Sequence, residues 1–150
     1  MIYADTNFFT NTLVDMSHRF EAEGLLAECT ESLPVTWLHR VEVVNALQQC
    51  VFLTRQGMQQ MRVTPELAAV VEAHFFEDVE AGIRYRQAAI FPESVEALFQ
   101  TLSLRHTANE GFRTYDLLHV SSALFLGCDT FWSFDTKARK LAKLEGLLVN

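Results

Sequence analysis

Arg113-Thr114-Tyr115-Asp116-Leu117-Leu118-His119-Val120, followed by Phe131-Trp132-Ser133-Phe134-Asp135, is the stretch that decides the fold. Thr114 is placed to cap a helix from Tyr115 to Leu126, which Gly127 stops. Thr130 to Phe134 is a short β-rich run of aromatic residues. Asp135 to Glu145 reads as a helix closed by Gly146, and Leu147-Leu148-Val149 as a last strand. Strands separated by helices imply right-handed crossovers and a parallel sheet covered on both faces. Continuously apolar strands, rather than alternating ones, suit that burial.

The same alternation continues toward the N-terminus. Met1-Ile2-Tyr3-Ala4 is a short apolar start, ended by Asp5-Thr6-Asn7. Roughly Ser17 to Thr30 reads as a helix with Phe20, Leu25 and Leu26 inward. Leu33-Pro34-Val35-Thr36 reads as a strand, with proline tolerable at its start. Leu38 to Gln56 is a long helix ending at Gly57, its apolar residues including Val41, Val44, Leu47 and Val51. Thr64-Pro65-Glu66 opens a helix to about Gly82, with Thr64 as cap and Pro65 as first helical residue. Ile83 to Arg86 is a candidate strand, and Pro92 to about His106 another helix. The expected class is three-layer α/β, as one domain over residues 1–150.

Composition narrows the function. Hydrophobic residues make up 49% and charged residues 21%, which rules out global disorder. Cys29, Cys50 and Cys128 are odd in number and far apart, so they read as reduced thiols rather than a disulfide framework. No apolar run approaches the ~20 residues of a membrane span. Asp5 interrupts the N-terminal apolar stretch too early for a signal peptide, so a cytoplasmic location is expected. The net charge of -7, from 12 basic against 19 acidic residues, at first opposes a nucleic-acid partner.

In a parallel sheet, strand C-termini and the N-termini of the following helices share one edge, where functional groups sit. Asp5 ends the first strand, Glu42 lies early in the helix after the second, Asp116 lies in a first helical turn, and Asp135 follows the aromatic strand. All four are expected on one rim. Singly, each has an ordinary explanation: Asp135 as a cap, Asp116 complementing a helix dipole, Glu42 as a solvated position, Asp5 as a cap. Together they cannot all ionise cheaply, because like charges raise each other's pKa. A hard divalent cation such as Mg²⁺ or Mn²⁺ resolves this with oxygen ligands. One or two such ions can activate a water and stabilise a phosphodiester's attacking and leaving oxygens. His18, His39, His74, His106 and His119 show no zinc-type pairing, and no P-loop, dinucleotide turn or nucleophile elbow is present.

These residues resemble the motifs of PIN-domain ribonucleases, in particular the VapC-type toxins of bacterial toxin–antitoxin pairs. Ile2-Tyr3-Ala4-Asp5-Thr6-Asn7 resembles the family's first acidic motif, and Arg40-Val41-Glu42-Val43-Val44-Asn45 its glutamate helix. Arg113 to Val120 resembles the third motif and Phe131 to Asp135 the fourth, within a match from Leu104 to Leu147. The resemblance implies a parallel sheet of about five strands in order 3-2-1-4-5, flanked by helices. It implies Mg²⁺- or Mn²⁺-dependent endonucleolytic cleavage of RNA, leaving a 3′-hydroxyl and a 5′-phosphate. Asp5, Glu42, Asp116 and Asp135 would hold the metal, and Asn7 or Asn45, with Thr6 and Ser133, would orient ligands or water. A homodimer and a small silencing antitoxin are further implications. One departure is Lys137-Ala138, where related sequences often carry Arg-Gln.

Several neighbours keep two readings open. His119, three residues after Asp116, would bind phosphate or metal, or would be a packed histidine near the site. Arg40, Arg113, Lys137, Arg139 and Lys140, with Lys143, would contact RNA phosphates or form a solvated face. Trp37, Phe131 and Trp132 would stack bases or fill the core. Leu67, Val70, Val71, Phe75 and Phe76 give the 64–82 helix surplus apolar surface, for the core or for a partner. Two other functions compete: a PIN-like binding module without activity, and a phosphatase. The phosphatase usually needs a second aspartate where Asn7 stands. Four of the seven excess negatives belong to the proposed metal set, so the acidic total does not oppose RNA.

Overall fold

The computed structural model describes residues 1–58 and 62–150. They form two compact units, one of Met1–Asp5 with Ala89–Asn150, the other of Thr6–Ala88. In chain order the described elements are β1 (Ile2–Ala4), α1 (Thr6–Leu13), α2 (Arg19–Glu28), β2 (Leu33–Val35), α3 (Trp37–Arg55), α4 (Pro65–Ala81) and β3 (Tyr85–Gln87). They continue as α5 (Pro92–Leu102), a π-helical turn (Ser103–Thr107), α6 (Ala108–Glu110), α7 (Thr114–Phe125), β4 (Thr130–Trp132), α8 (Thr136–Leu144) and β5 (Leu148–Val149). This is a helix-rich α/β fold with parallel strands, as the alternation predicts. Of the expected order 3-2-1-4-5, the described residues show two parallel runs, β3-β2 and β1-β4-β5.

The first unit is built on β1-β4-β5, with Ala4 in register with Trp132 and Thr130 with Leu148. Tyr3, Leu102, Leu117, Val120, Phe131 and Leu141 belong to its core. The rings of Tyr3 and Phe131 stack with centroids 5.8 Å apart and planes 10° apart. Such a pair contributes about 0.5–1.5 kcal/mol beyond its area burial. Phe131 and Trp132 are both buried, which favours the core reading of each. Helix α5 packs on α7 and α7 on α8. The helical run begun at Pro92 passes His106 and ends only at Gly111, whose φ of 65° is the left-handed stop. Thr114 is the first residue of α7 rather than its cap; Arg113, extended at φ -88° and ψ 159°, takes the cap position.

The second unit pairs β2 with β3 in parallel, Leu33 facing Tyr85. Thr64 caps α4 as expected, its hydroxyl accepting from the Leu67 amide at 3.2 Å. Gly82 ends that helix at φ 69°. On α3 the buried residues are Leu38, His39, Val43, Leu47, Cys50 and Val51, a helical spacing, whereas Val41 is exposed. Leu67 and Val70 on α4 are also exposed, and Phe75 is buried.

Two expectations fail here for physical reasons. Helix α1 has no counterpart in the sequence pattern, because threonine and asparagine are weak helix formers. It forms because Phe8 and Phe9 are fully buried. Its polar side chains turn back on its own carbonyls: Thr10 to Thr6 at 2.8 Å, Asn11 to Asn7 at 2.9 Å, Thr12 to Phe9 at 2.7 Å. Phe20, read as inward, is 87% exposed. The buried residue of α2 is Ala22, and two helical residues turn about 200° around the axis. Cys50 and Cys128 are buried, Cys29 is half-buried, and all three are free thiols. No helix among the described residues is long and apolar enough to cross a membrane.

Candidate active site

Asp5 follows β1, and its amide donates to the Trp132 carbonyl at 3.0 Å, continuing the β1–β4 ladder by one residue. That register places Asp5 beside Ser133, one residue beyond β4. The Ser133 hydroxyl donates to Asp5 Oδ2 at 2.6 Å and accepts from the Asp135 amide at 2.9 Å. Ser133 is fully buried and Asp5 is 4% exposed. One hydroxyl thus joins the first acidic position to the last. The Ser133 amide in turn donates to Asn150 Oδ1 at 2.9 Å, a contact that nothing in the sequence signals.

Asp135 caps α8, its Oδ1 accepting from the amides of Lys137 at 2.7 Å and Ala138 at 3.3 Å. Asp116 sits in the first turn of α7, where its Oδ2 accepts from the Arg113 amide at 2.9 Å. Both carboxylates stand at helix N-termini, whose partial positive charge favours them. The Arg113 guanidinium bridges the two. Its Nη2 donates to Asp116 Oδ1 at 3.2 Å and to Asp135 Oδ2 at 2.5 Å, and its Nε donates to Asp116 Oδ2 at 3.2 Å. Asp5, Ser133, Asp135, Arg113 and Asp116 therefore form one hydrogen-bonded chain.

Partial burial pushes the Asp135 carboxyl up, but Arg113 and the two helix amides outweigh it and hold it below the usual aspartate value. Hydrogen bonds to Asp116 and then Asp135 hold the Arg113 guanidinium protonated more firmly than usual. A lowered folded-state pKa adds stability above the unfolded value, and that stability is lost as pH falls through the folded one. Asp135→Ala is expected to cost roughly 1–2 kcal/mol at neutral pH through the lost cap. Urea unfolding at a series of pH values should show this deficit shrinking on acidification.

Glu42 belongs to the other unit, on α3, where its Oε2 accepts from the Thr6 hydroxyl at 2.7 Å. Asn7 and Asn45 are exposed. His119 is buried and shares a hydrogen bond of 2.9 Å between its Nδ1 and the Tyr3 hydroxyl, which places it in the packed setting. Of the basic candidates, Arg40 lies over the Phe76 ring at 4.6 Å. Lys137 Nζ donates to the carbonyls of Glu110 and Gly111, each at 2.9 Å. Lys140 pairs with Glu110 at 2.5 Å, and Arg139 reaches the Asn150 carbonyl at 3.3 Å. Trp37 is half exposed. Neither sequence reading of Arg113, phosphate contact or solvated face, includes its bridge between Asp116 and Asp135. The i, i+3 spacing to Asp116 was the available signal.

Among the described residues, no three His, Cys, Asp or Glu side chains are grouped so as to hold one metal ion. The set is linked instead by a hydroxyl and a guanidinium. Its donor chemistry is nonetheless that of a hard divalent cation: carboxylate oxygens, with a positive charge already standing between two of them.

Acidic residues one step beyond parallel strands and at helix N-termini define a carboxylate-lined α/β site. The chain belongs to the PIN domain family, whose model matches residues 2–144. No curated protein matches its sequence. Mycobacterium tuberculosis VapC20, a Sarcin-Ricin loop cleaving toxin, is similar in structure, with a TM-score of 0.64 and 17% identity over 93% of this chain and 94% of that one. FitAcB from Neisseria gonorrhoeae gives a TM-score of 0.66 and 15% identity over 99% of this chain and 96% of that one. At these identities the likeness is one of fold.

Proposed function

We propose that this chain is a divalent-metal-dependent endoribonuclease and the toxin of a toxin–antitoxin pair, acting as a single domain in the cytoplasm. The observation that carries it is the joining of Asp5, Asp116 and Asp135 through Ser133 and Arg113 in a chain of the PIN family. The fold shared with VapC20, a Sarcin-Ricin loop cleaving toxin, supports the same direction. Asp5, Asp116 and Asp135 would hold Mg²⁺ or Mn²⁺. Glu42 is the fourth acid in this reading, on the strength of the motif Arg40-Val41-Glu42 in the sequence.

A divalent ion held there would acidify a water and offset charge on the phosphodiester. Ser133 keeps Asp5 and the start of α8 in fixed relation, so the carboxylates are oriented before substrate arrives. Arg139, Lys140 and Lys137, on α8, are the residues proposed to meet RNA phosphates, with Arg40 and Arg113. Exposed Leu67 and Val70 on α4 suit a twin subunit or a small antitoxin protein.

Labelled RNA incubated with the purified protein is expected to be cut in Mn²⁺ or Mg²⁺, to carry 5′-phosphate ends, and to stay intact in excess chelator. Cleavage that persists in chelator contradicts the metal requirement. The guanidinium bridge between Asp116 and Asp135 favours one second reading, a PIN-type binding module with a neutralised site. Absence of both cleavage and calorimetric Mn²⁺ binding at millimolar metal supports that module.

A further inference from the structure

We propose that Arg113 is a built-in counter-ion of the carboxylate set, which a divalent ion must displace, so that this residue sets the affinity of the site for metal. The inference rests on the metal-site reading above and concerns how that site is regulated.

The guanidinium is not what positions the two carboxylates. Asp116 Oδ2 is held by the Arg113 backbone amide at 2.9 Å. Asp135 Oδ1 is held by the amides of Lys137 and Ala138 at 2.7 and 3.3 Å. The other oxygen of each carboxylate, Asp116 Oδ1 and Asp135 Oδ2, is the one the guanidinium Nη2 takes, while its Nε shares Asp116 Oδ2 with the backbone amide. Those are the oxygens that the backbone leaves for a ligand. Arg113 therefore neutralises a pair of acids that the two helix starts have already placed.

The side chain is also built to leave. It is 64% exposed, so little packing holds the side chain and water reaches it, whereas its partner Asp116 is buried. The nearby lysines of α8 are engaged elsewhere, Lys137 with two carbonyls and Lys140 with Glu110. Among these cations, Arg113 alone bridges the two acids, and a dication interacts more strongly with carboxylate oxygens than a single guanidinium does. Metal and Arg113 thus compete for the same two oxygens.

Calorimetric titration of Mn²⁺ into the metal-free protein tests this. Arg113→Met is expected to bind Mn²⁺ about tenfold more tightly than the native chain, the loss of one competing charged hydrogen-bond pair. Arg113→Lys should fall between them. Lys143→Met, which removes the same charge from an exposed site, should bind within about twofold of native, separating local competition from long-range charge. Mn²⁺ should also raise the melting temperature of Arg113→Met more than that of the native chain, and circular dichroism reports whether each variant is folded. Tighter binding by Arg113→Met, including binding where the native chain shows none, supports the counter-ion. Native binding that Arg113→Met matches or weakens overturns the counter-ion and leaves the metal site standing. No binding by either protein overturns both.

Discussion

Asp116→Asn is expected to lower metal-dependent RNA cleavage by about a thousandfold or more while the fold survives. A thousandfold corresponds to about 4 kcal/mol of lost transition-state stabilisation. The substitution is chosen because it preserves what the carboxylate does structurally. Asparagine keeps one carbonyl oxygen that can accept from the Arg113 amide, so the first turn of α7 retains its bond. What disappears is the negative charge, and a neutral amide is a poorer ligand for a hard cation than a carboxylate. Asp5→Asn should behave alike, its remaining oxygen still accepting from the buried Ser133 hydroxyl. Cleavage rates in Mn²⁺ measure the first effect, and near-ultraviolet circular dichroism measures the second. Undiminished cleavage by both folded variants would falsify the carboxylate assignment.

The largest effect on stability is expected at Phe9, which is fully buried although the sequence marks no helix there. Its ring meets His39 at 5.2 Å, Tyr85 at 5.4 Å and Phe75 at 5.6 Å between centroids, so it ties α1 to α3, α4 and β3 within one unit. Phe9→Ala should cost about 3–5 kcal/mol, the sum of lost transfer energy and the cavity left among rigid rings. Against a total stability of about 5–15 kcal/mol, that leaves the protein near its limit. Phe20→Ala is the control, because Phe20 is 87% exposed and its removal should change stability by less than about 0.5 kcal/mol. Denaturant midpoints of the two variants give the comparison directly; similar losses at both positions would contradict the burial assigned here.

Phe9 and Phe20 also show where sequence reading succeeds and fails. Thr64 and Pro65 announce α4 because a cap is made with an amide three residues away. Asp135 was legible as a cap for the same reason, its partners being Lys137 and Ala138. Parallel strands were legible from apolar runs between helices. Phe20 was misread because α2 has a weak pattern and buries only Ala22, so its inward face had no clear signature. Helix α1 was missed because its stability comes from packing rather than from propensity.

The acids themselves could be picked out from Asp5, Glu42, Asp116 and Asp135 standing at expected element ends. Their electrostatic partners could not. Arg113 and Asp135 are 22 residues apart, and Ser133 and Asp5 are 128 apart. The sequence by itself determined the residue types, the helix starts that hold two of the carboxylates, and the alternation that makes a parallel sheet. These follow from contacts within a few residues. Only the tertiary structure decided that one serine hydroxyl serves Asp5 and Asp135, and that one guanidinium neutralises Asp116 and Asp135. The β1–β4 register and the meeting of α7 with α8 bring those groups within hydrogen-bond reach, and no local rule sets either.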